Sequence, residues 1–201
     1  MKILPVVGLA TLFLPTIANA YYDYEPVNRD NYVGIRIHKN DNIAFRFETS
    51  SENGTTIRDD SFGIGAYVGN RLTSHTKIEF ETLYNSGREK KYNNDFSFNV
   101  WSNMLNLYVY QQIESAVEPY FGLGIGVSGL WGDVSGDINL SDSTADMSWS
   151  AMLGVNFALN SRIDLNLGLK YQNYGDIKMA NTTTEIDATE IYIGAAYKFG
   201  L

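Results

Sequence analysis

Residues 162–172 read Arg-Ile-Asp-Leu-Asn-Leu-Gly-Leu-Lys-Tyr-Gln, with an apolar or aromatic side chain at every second position. Successive side chains of a β-strand point to opposite faces, so this segment is predicted to be a strand with one apolar and one polar face. A soluble two-sided sheet could give this pattern once. The rest of the chain decides whether the pattern has another meaning.

The same alternation recurs in five further segments. Their apolar positions are Phe62, Ile64, Ala66 and Val68; Ile78, Phe80, Thr82 and Tyr84; Phe121, Leu123, Ile125, Val127 and Trp131; Met147, Trp149, Ala151, Leu153, Val155 and Phe157; and Ile191, Ile193, Ala195, Tyr197, Phe199 and Leu201. The opposite positions are rich in glycine and polar or charged residues, where a β-sandwich would need apolar contacts. The pattern therefore favours a barrel whose apolar face meets lipid.

Two segments depart from this alternation. In residues 31–49, Lys39 and Asp41 share the parity of the apolar Val33, Ile35, Ile37, Ile43, Phe45 and Phe47. Either the strand projects beyond the lipid, or residues 39–42 form a bulge or turn. In residues 96–112, the parity of Phe96, Phe98 and Val100 differs from that of Trp101, Leu105, Leu107 and Val109, which predicts a bulge near the start of this strand.

The connections alternate in length along the chain. Long polar links are predicted at residues 50–60, 87–95, 133–145 and 176–187, and short ones at 70–74, 113–117 and 159–161. Outer-membrane barrels have long extracellular loops and short periplasmic turns. The fold is therefore predicted to be all-β: an eight-stranded antiparallel up-and-down transmembrane β-barrel over residues 31–201, in the outer membrane of a Gram-negative-type bacterium, with both chain ends in the periplasm.

The first 20 residues have the layout of a secretory signal peptide. Lys2 precedes an apolar stretch from Ile3 to Ile17, and Ala18-Asn19-Ala20 fits the small-x-small cleavage rule. An uncleaved helical anchor is the alternative. Residues 1–20 are thus predicted to be removed, and residues 21–30 to be a periplasmic segment before the barrel.

The composition restricts the partners of the mature chain. Without Lys2, 14 basic residues face 23 acidic ones, a formal charge of −9, which disfavours nucleic acid or anionic lipid headgroups as the main partner. The chain has no cysteine, so disulfides and thiol-based metal sites are excluded. The predicted partners are outer-membrane lipid and lipopolysaccharide, the barrel-assembly machinery, and an unknown extracellular ligand of the loops.

The charged residues of the polar parity are predicted to lie in the lumen. They are Arg36, Arg46, Arg71, Lys77, Arg162, Lys170 and Lys198 against Glu48, Glu79, Glu81, Glu118, Asp164 and Glu190. An eight-stranded lumen is only wide enough for side chains to fill, and buried ions need partners. The near-balance of charge therefore predicts a paired network that plugs the barrel, because an ion-selective pore would favour one sign.

Glycines and aromatic residues complete the predicted barrel. Gly63, Gly65, Gly69, Gly122, Gly124 and Gly126 either make room for large neighbours such as Tyr67 and Tyr120 or allow the strands to curve. The candidates for an interfacial girdle, or simply for ordinary strand aromatics, are Tyr84, Trp101, Trp131, Trp149, Tyr171, Tyr197 and Phe199.

Several motifs resemble a known family. Residues 31–34 (Asn-Tyr-Val-Gly), 62–69, 104–108 and 118–126 (Glu-Pro-Tyr-Phe-Gly-Leu-Gly-Ile-Gly) are similar to those of the porin-like outer-membrane β-barrels that include the opacity-type surface proteins. The resemblance covers residues 31–201 and implies adhesion or surface recognition. It also implies an assembly signal in the last strand, here Ile193, Ala195, Tyr197, Phe199 and Leu201, although Leu201 replaces the usual terminal aromatic residue.

No constellation of catalytic residues stands out. His38 and His75 are expected in different strands without a serine partner or metal-ligand spacing, and the pair Glu79 and Glu81 is better explained by ion pairing than by acid–base chemistry. Asp133, Asp137, Asp142 and Asp146 match no calcium-loop template. The chain is expected to be non-enzymatic, without cofactor or metal, and to act through its loops; a narrow porin or an envelope-integrity protein are the alternatives.

Overall fold

A computed structural model describes residues 31–48, 56–91, 94–111, 117–135, 140–179 and 182–199. Side chains are described for residues 31–40, 61–87, 99–111, 117–131, 144–175 and 186–199. The predicted signal peptide and the segment 21–30 lie outside these ranges. Within them, no helix is long and apolar enough to cross a membrane.

Eight antiparallel strands form a closed barrel in which each strand pairs with the next and β8 pairs with β1. They are β1 (Asn31–Glu48), β2 (Thr56–Arg71), β3 (Thr76–Lys91), β4 (Asn94–Tyr110), β5 (Val117–Ser135), β6 (Leu140–Ala158), β7 (Ile163–Met179) and β8 (Thr182–Phe199). The prediction of an all-β, eight-stranded up-and-down barrel is confirmed.

The two predicted faces are the outside of the wall and the lumen. Apolar residues of the outward parity, such as Phe62, Ile125 and Ile193, expose more than half of their surface. Their neighbours in the chain, Ser61, Gly124 and Tyr192, face the interior and are buried. Exposed apolar side chains around a buried polar interior are the reverse of the distribution in a soluble protein. This distribution suits a protein surrounded by lipid.

Strand β1 is continuous through residues 39–42 and contains a bulge there. Its pairing with β2 shifts between Asn40 and Ile43, and its pairing with β8 shifts between Asn40 and Asn42. One extra residue of β1 is thus accommodated without a turn. The side chains that follow Asn40 in β1, including those of Arg46 and Glu48, lie outside the described ranges.

The bulge predicted near the start of β4 is wrong. The strand pairs without a register shift from Asn94 to Val109 with β3 and from Asp95 to Tyr110 with β5. Val100 simply faces the lumen, where it packs in an apolar cluster with Leu130 and Ile186. The apolar parity changes along β4 because Val100 is an apolar residue that faces the lumen, and no extra residue is inserted in the strand.

The extent of the long loops was also predicted wrongly. β3 continues to Lys91 and β4 begins at Asn94, and β7 and β8 likewise extend to Met179 and from Thr182. Strands that leave both the lipid and the lumen have water on either side, so their sequence loses its alternation and is mistaken for a loop. We call the end of the barrel with the β1–β2, β3–β4, β5–β6 and β7–β8 connections the hairpin end. The end with the β2–β3, β4–β5 and β6–β7 connections is the turn end.

The turn end has short, hydrogen-bonded connections. In the β2–β3 turn, the amide of Leu72 donates to the carbonyl of Thr76 (2.9 Å). In the β6–β7 turn, the side-chain oxygen of Asn160 accepts hydrogen bonds from the amides of Arg162 (2.8 Å) and Ile163 (2.9 Å). A short polar side chain that bonds the backbone two or three residues ahead is a common turn device.

The hairpin end is divided by two seams. Pairing of β2 with β3 ends at Ser61 and Gly87, and pairing of β6 with β7 ends at Trp149 and Asn173, although all four strands continue. Among the described residues no backbone pair bridges either seam. Because the seams are four strands apart, they lie on opposite sides of the barrel.

The seams separate two four-stranded blocks. The β1 block comprises the outer parts of β7, β8, β1 and β2, and the β4 block comprises those of β3, β4, β5 and β6. At the β6–β7 seam, the pairing of β7 with β8 shifts between Asn173 and Gly175, and Gly175 has a φ of 94°. This left-handed bulge bends β7 where it leaves β6.

Candidate functional site

Arg36 lies at the centre of the lumen and is 1% exposed. Its guanidinium donates to both carboxylate oxygens of Glu79, with a distance of 3.0 Å for the Nη2–Oε2 pair, and to Glu81 Oε1 at 2.9 Å. Its Nε donates to Asn166 Oδ1 (3.1 Å), and the Tyr67 ring lies 3.9 Å from its Cζ. The planar guanidinium thereby connects opposite walls of the barrel.

A second group of buried charges adjoins the first through Glu81. Lys170 Nζ donates to Glu81 Oε2 at 3.2 Å. His38 lies between two carboxylates, with Nδ1 2.7 Å from Glu190 Oε2 and Nε2 3.6 Å from Glu81 Oε1. The hydroxyl of Tyr174 donates to Glu190 and accepts from Asn85 Nδ2 (2.9 Å). Each buried carboxylate therefore has a charged or hydrogen-bonding partner, as burial requires.

Tyrosine rings fill the space around these charges. Tyr108 donates to Glu79 Oε1 (3.0 Å) and packs edge-on against Tyr120, whose hydroxyl is hydrogen-bonded to that of Tyr192. Glycines on the neighbouring strands, directly opposite the tyrosines in the pairing, make room for the rings. A Cβ at Gly154 would lie 2.5 Å from the Tyr120 hydroxyl, and one at Gly168 would lie 2.6 Å from Tyr192 Cζ.

The prediction that the listed glycines make room for Tyr67 and Tyr120 holds only in part. Tyr67 occupies the space above Gly34, and Tyr120 that above Gly154, and neither glycine was among those singled out in the sequence. Of the singled-out glycines, Gly69 faces Tyr32 and Gly122 faces Tyr108. The sequence indicated that rings need space, but only the register identifies which ring meets which glycine.

An apolar cluster lies in the lumen on the hairpin-end side of the charged centre. Val100, Leu130, Tyr174, Ile186 and Ala188 form it, and each exposes 5% or less of its surface. The lumen thus has a charged centre and an apolar cap. Within the described residues its side chains pack as a core, which is the filled interior expected of an eight-stranded barrel.

The charges predicted for the lumen fall into several groups. Arg36, Glu79, Glu81, Lys170 and Glu190 meet in the centre. Two pairs, Arg71–Glu118 (3.3 Å) and Lys198–Asp164 (3.0 Å), lie at the turn end and are about one-fifth exposed. Lys77 lies apart from both groups, over three tyrosine rings.

Arg162 does not belong to the lumen. It is exposed in the β6–β7 turn, where its Nη1 lies 3.5 Å from the hydroxyl of Tyr197 on the outer wall. The alternation was extended one residue too far, because the turn at Asn160 ends the strand geometry before Arg162. The positions of the Arg46 and Glu48 side chains lie outside the described ranges.

Sequence reasoning missed part of the network. It placed His38 in a strand without assigning it a partner, and it did not single out Tyr174 or Asn85, although all three are fully buried. The signal for His38 was its inward parity beside Arg36. Tyr174 follows the end of the regular alternation in β7, so no periodic signal could place it.

Other candidate residues show no catalytic arrangement. His75 lies in the β2–β3 turn rather than in a strand, and its Nδ1 is 2.9 Å from Ser74 Oγ. Asp133 and Asp142 belong to strands β5 and β6, whereas Asp137 is not described. Over the described ranges, no group of three or more histidine, cysteine or acidic side chains could hold a metal ion.

Aromatic side chains of the outer wall lie near the base of the hairpin end. Tyr84 and Trp101 are cross-strand partners, both are exposed, and Trp101 Nε1 donates to Thr82 Oγ1 (2.7 Å). The rings of Trp149 and Tyr171 are in contact, with centroids 5.4 Å apart and planes tilted by 50°. Exposed amphipathic rings near this end of the wall suit the membrane–water interface. Tyr197 and Phe199 lie at the opposite end, near the close of β8.

The formal charge is concentrated at the hairpin end. Segments 41–60, 86–98, 129–147 and 174–189 contain 14 acidic and 6 basic residues, a net charge of −8. The other segments of residues 31–201 contain 7 basic and 6 acidic residues, a net charge of +1. The acidity predicted to affect binding thus belongs to one end of the molecule.

A closed eight-stranded barrel with an apolar exterior and a plugged polar lumen defines an outer-membrane β-barrel. The chain belongs to the family described as "Outer membrane protein beta-barrel domain", whose model matches residues 9–199. Comparison with curated proteins gives no significant match. The predicted resemblance and the outer-membrane location are confirmed.

Solved structures share the fold at low sequence identity. Neisserial surface protein A (NspA) has 19% identity and a TM-score of 0.61, with 84% of this chain and 97% of that chain covered. OprG from Pseudomonas aeruginosa has 16% identity and a TM-score of 0.55 (86% and 97% covered). Ail, the attachment invasion locus protein of Yersinia pestis, has 15% identity and a TM-score of 0.53 (86% and 100% covered).

Proposed function

We propose that this protein is a non-enzymatic surface-recognition barrel whose hairpin end binds an external partner. The observation that carries the proposal is the contrast between a lumen filled by paired side chains and strands that extend far beyond the aromatic residues. In barrels of this class the longer connections face the cell exterior and the short turns face the periplasm. The hairpin end is then the surface available to a partner outside the cell.

The two blocks supply binding surfaces of their own. The parts of β2, β3, β6 and β7 beyond the seams have a free edge, because no described strand pairs with them there. Free strand edges present unpaired backbone groups that can hydrogen-bond an extended segment of another chain. Recognition by strand addition is therefore compatible with this end of the barrel.

The partner is expected to be cationic. The hairpin-end segments carry a net charge of −8, and the β5–β6 hairpin contributes four aspartates and no basic residue within 129–147. Ail was crystallised in complex with a heparin analogue, sucrose octasulfate. A polyanion of that kind would be repelled here, so attachment by this chain would need the opposite charge on the partner surface.

Shortened hairpins test the proposal. In one variant, Asn-Gly replaces residues 133–141 after the Gly132–Asp142 pair; in another, Asn-Gly replaces residues 88–97 after the Gly87–Phe98 pair. Bacteria displaying the wild-type chain should adhere to a lysine-rich protein coating and not to heparin. The first variant, which removes two aspartates, should lose adhesion, whereas the second, which removes three basic and two acidic residues, should keep it. Both should keep the heat-modifiable gel migration of a closed barrel. Unchanged adhesion of the first variant would reject the proposal.

A matched charge series separates charge from shape. Replacing Asp133, Asp142 and Asp146 with asparagine should weaken adhesion, whereas replacing the same residues with glutamate should preserve it. The attraction of exposed charges is screened by salt, so the wild-type adhesion should also fall as salt rises from about 0.05 to 0.5 M. Equal adhesion of the two triple variants would contradict the charged partner.

The narrow porin is the weaker alternative. Arg36, Glu81 and Lys170 meet across the lumen, and the apolar cluster closes it nearer the hairpin end. A closed lumen should give no steady current in a planar bilayer, whereas a hydrated path would give one. Steady single-channel conductance of the purified wild-type chain would favour the porin.

Assembly is proposed to use the last strand. Ile193, Ala195 and Tyr197 keep the outward parity, and Ile193 and Tyr197 are exposed. Leu201, where the family usually has an aromatic residue, lies outside the described ranges. Leu201→Phe should therefore increase the yield of folded barrel on expression, measured by heat-modifiable migration, if the assembly machinery reads this position. Lipopolysaccharide contacts by the outer wall are a further proposal of the same kind.

A further inference from the structure

A cavity lies inside the turn end of the lumen, away from the proposed recognition surface. Lys77, Arg71, Lys198, Asn156, Asp164 and Tyr67 are among the residues that line it. Arg71 ends β2, Lys198 is close to the end of β8, and Asp164 is close to the start of β7, so the cavity lies near the short turns. With the short turns in the periplasm, a ligand would reach it from the periplasmic solution.

Lys77 is the unusual residue of this cavity. It is 9% exposed, and its ammonium lies 4.6 Å from the centroid of the Tyr108 ring, 5.4 Å from that of Tyr120 and 5.5 Å from that of Tyr32. In the described part of the chain no carboxylate lies within ion-pair distance of it. By contrast, Arg71 and Lys198 each pair with a carboxylate, Glu118 and Asp164.

Further hydrogen-bond donors line the same cavity. The Tyr67 hydroxyl accepts a hydrogen bond from Asn166 Nδ2 (2.8 Å), and its own proton has no acceptor among the described residues. Asn156, 7% exposed, has a side-chain amide without a hydrogen-bond partner in the described ranges. Arg71, Lys77 and Lys198 line the cavity with Asp164. Because Arg71 and Lys198 are paired with Glu118 and Asp164, Lys77 is the lining cation that has no ion-pair partner among the described residues.

We propose that this cavity binds a small oxyanion, such as phosphate, from the periplasmic solution. A tetrahedral oxyanion has several acceptor oxygens and a negative charge, which match the Lys77 ammonium and the donors of Tyr67 and Asn156. The tyrosine rings hold the Lys77 ammonium by cation–π contact and offer it no anionic partner. A lipid headgroup is a poorer candidate, because the cavity is inside the barrel and lipid is outside it.

Titration with inorganic phosphate tests the proposal. The full chain, folded in a maltoside detergent that contains no phosphate, is titrated in low-salt buffer and followed by ¹H–¹⁵N NMR. Saturable shifts are expected around Lys77 and Asn156. Lys77→Met should weaken binding by about ten-fold or more, the usual effect of losing a charged hydrogen bond. Lys39→Met, which removes an exposed lysine of the outer wall, should leave binding unchanged.

A second variant protects the test against misfolding of Lys77→Met. Tyr67→Phe keeps the ring and removes only the hydroxyl donor, so it should weaken phosphate binding by about five-fold. Shifts that do not saturate in the wild type would overturn the proposal. Equal binding by wild type and both cavity variants, or equal weakening by Lys39→Met, would overturn it as well. The adhesion assays are independent of these outcomes.

Discussion

The two ends of the barrel are built on different principles. At the turn end and the centre, all eight strands pair with both neighbours, and the interior is filled by paired charges and tyrosine rings. At the hairpin end, pairing is interrupted at two opposite seams, and the segments there carry a net charge of −8. One chain thus combines a closed, nearly neutral body with a divided, acidic outer part.

This difference separates stability from recognition. In the body, a single substitution alters groups that contact several strands at once, because Arg36 of β1 bonds side chains of both β3 and β7. In the outer part each block depends only on its own four strands. We expect large effects on folding from substitutions in the body and local effects from changes beyond the seams.

The largest effect is expected for Arg36→Leu. Without the guanidinium, the carboxylates of Glu79 and Glu81 lose their nearest cation inside the lumen. Breaking a buried charge pair costs about 3–5 kcal/mol, and urea unfolding of the refolded barrel should show a loss of this size. The control Arg162→Leu, in the exposed turn, should change the unfolding free energy by about 0.5 kcal/mol or less. Similar losses for both variants would remove the distinction between body and surface.

Amide hydrogen exchange should reveal the seams. In β6, residues 140–148 pair with β5 but not with β7, so alternate amides should exchange on the order of 100-fold faster than their neighbours. In residues 149–158 of the same strand, which pair on both sides, alternate amides should be protected alike. The outer half of β5, flanked by β4 and β6, is the control. Uniform protection of residues 140–148 would contradict an open β6–β7 seam.

Two glycine substitutions should sharpen the contrast inside the body. A Cβ at Gly34 would overlap the ring of Tyr67 and lie 2.5 Å from the carbonyl oxygen of Ala195, whereas a Cβ at Gly65 would have its nearest neighbour at 3.4 Å. Gly34→Ala should therefore destabilise the barrel by about 1–3 kcal/mol, as expected for overpacking. Gly65→Ala should change it by less than about 1 kcal/mol. Denaturant unfolding of both variants would compare them, and a reversed order would indicate a different register.

The smallest effect is expected at the boundary between the two regions. Trp101→Phe removes the hydrogen bond to Thr82 and keeps an aromatic ring, so it should cost about 0.5–1 kcal/mol. Thr82→Val removes the same bond from the other side. If this hydrogen bond is responsible, the free energy of unfolding of the double variant should fall by no more than about the larger of the two single-variant losses. Additive losses would assign the effect to other contacts.

The fold could be predicted because two physical constraints recur along the chain. Lipid on one side and a narrow lumen on the other impose a two-residue period, which Phe62–Val68 and Ile163–Tyr171 display. Predictions from this two-residue period failed where the two constraints do not apply. Beyond the lipid both faces of a strand meet water, so the outer strands were read as loops, and inside the apolar cap Val100 was taken as evidence of a bulge.

The lumen could be predicted by residue type but not by partner. Parity indicated that Arg36, Glu79, Glu81 and Glu190 face inward, yet which of them meet depends on the stagger between strands, which a single sequence does not specify. The isolation of Lys77 among tyrosine rings is of this kind. Likewise, the bend at Gly175 and the seam beside it depend on the backbone rather than on any periodic pattern.

The division beyond Ser61 and Trp149 has a consequence for how such a surface can change. An insertion in the β3–β4 or β5–β6 hairpin affects only the β4 block. An insertion in the β1–β2 or β7–β8 hairpin affects only the β1 block. The two halves of the external surface can thus change in sequence independently of each other, while the barrel body that supports both stays the same.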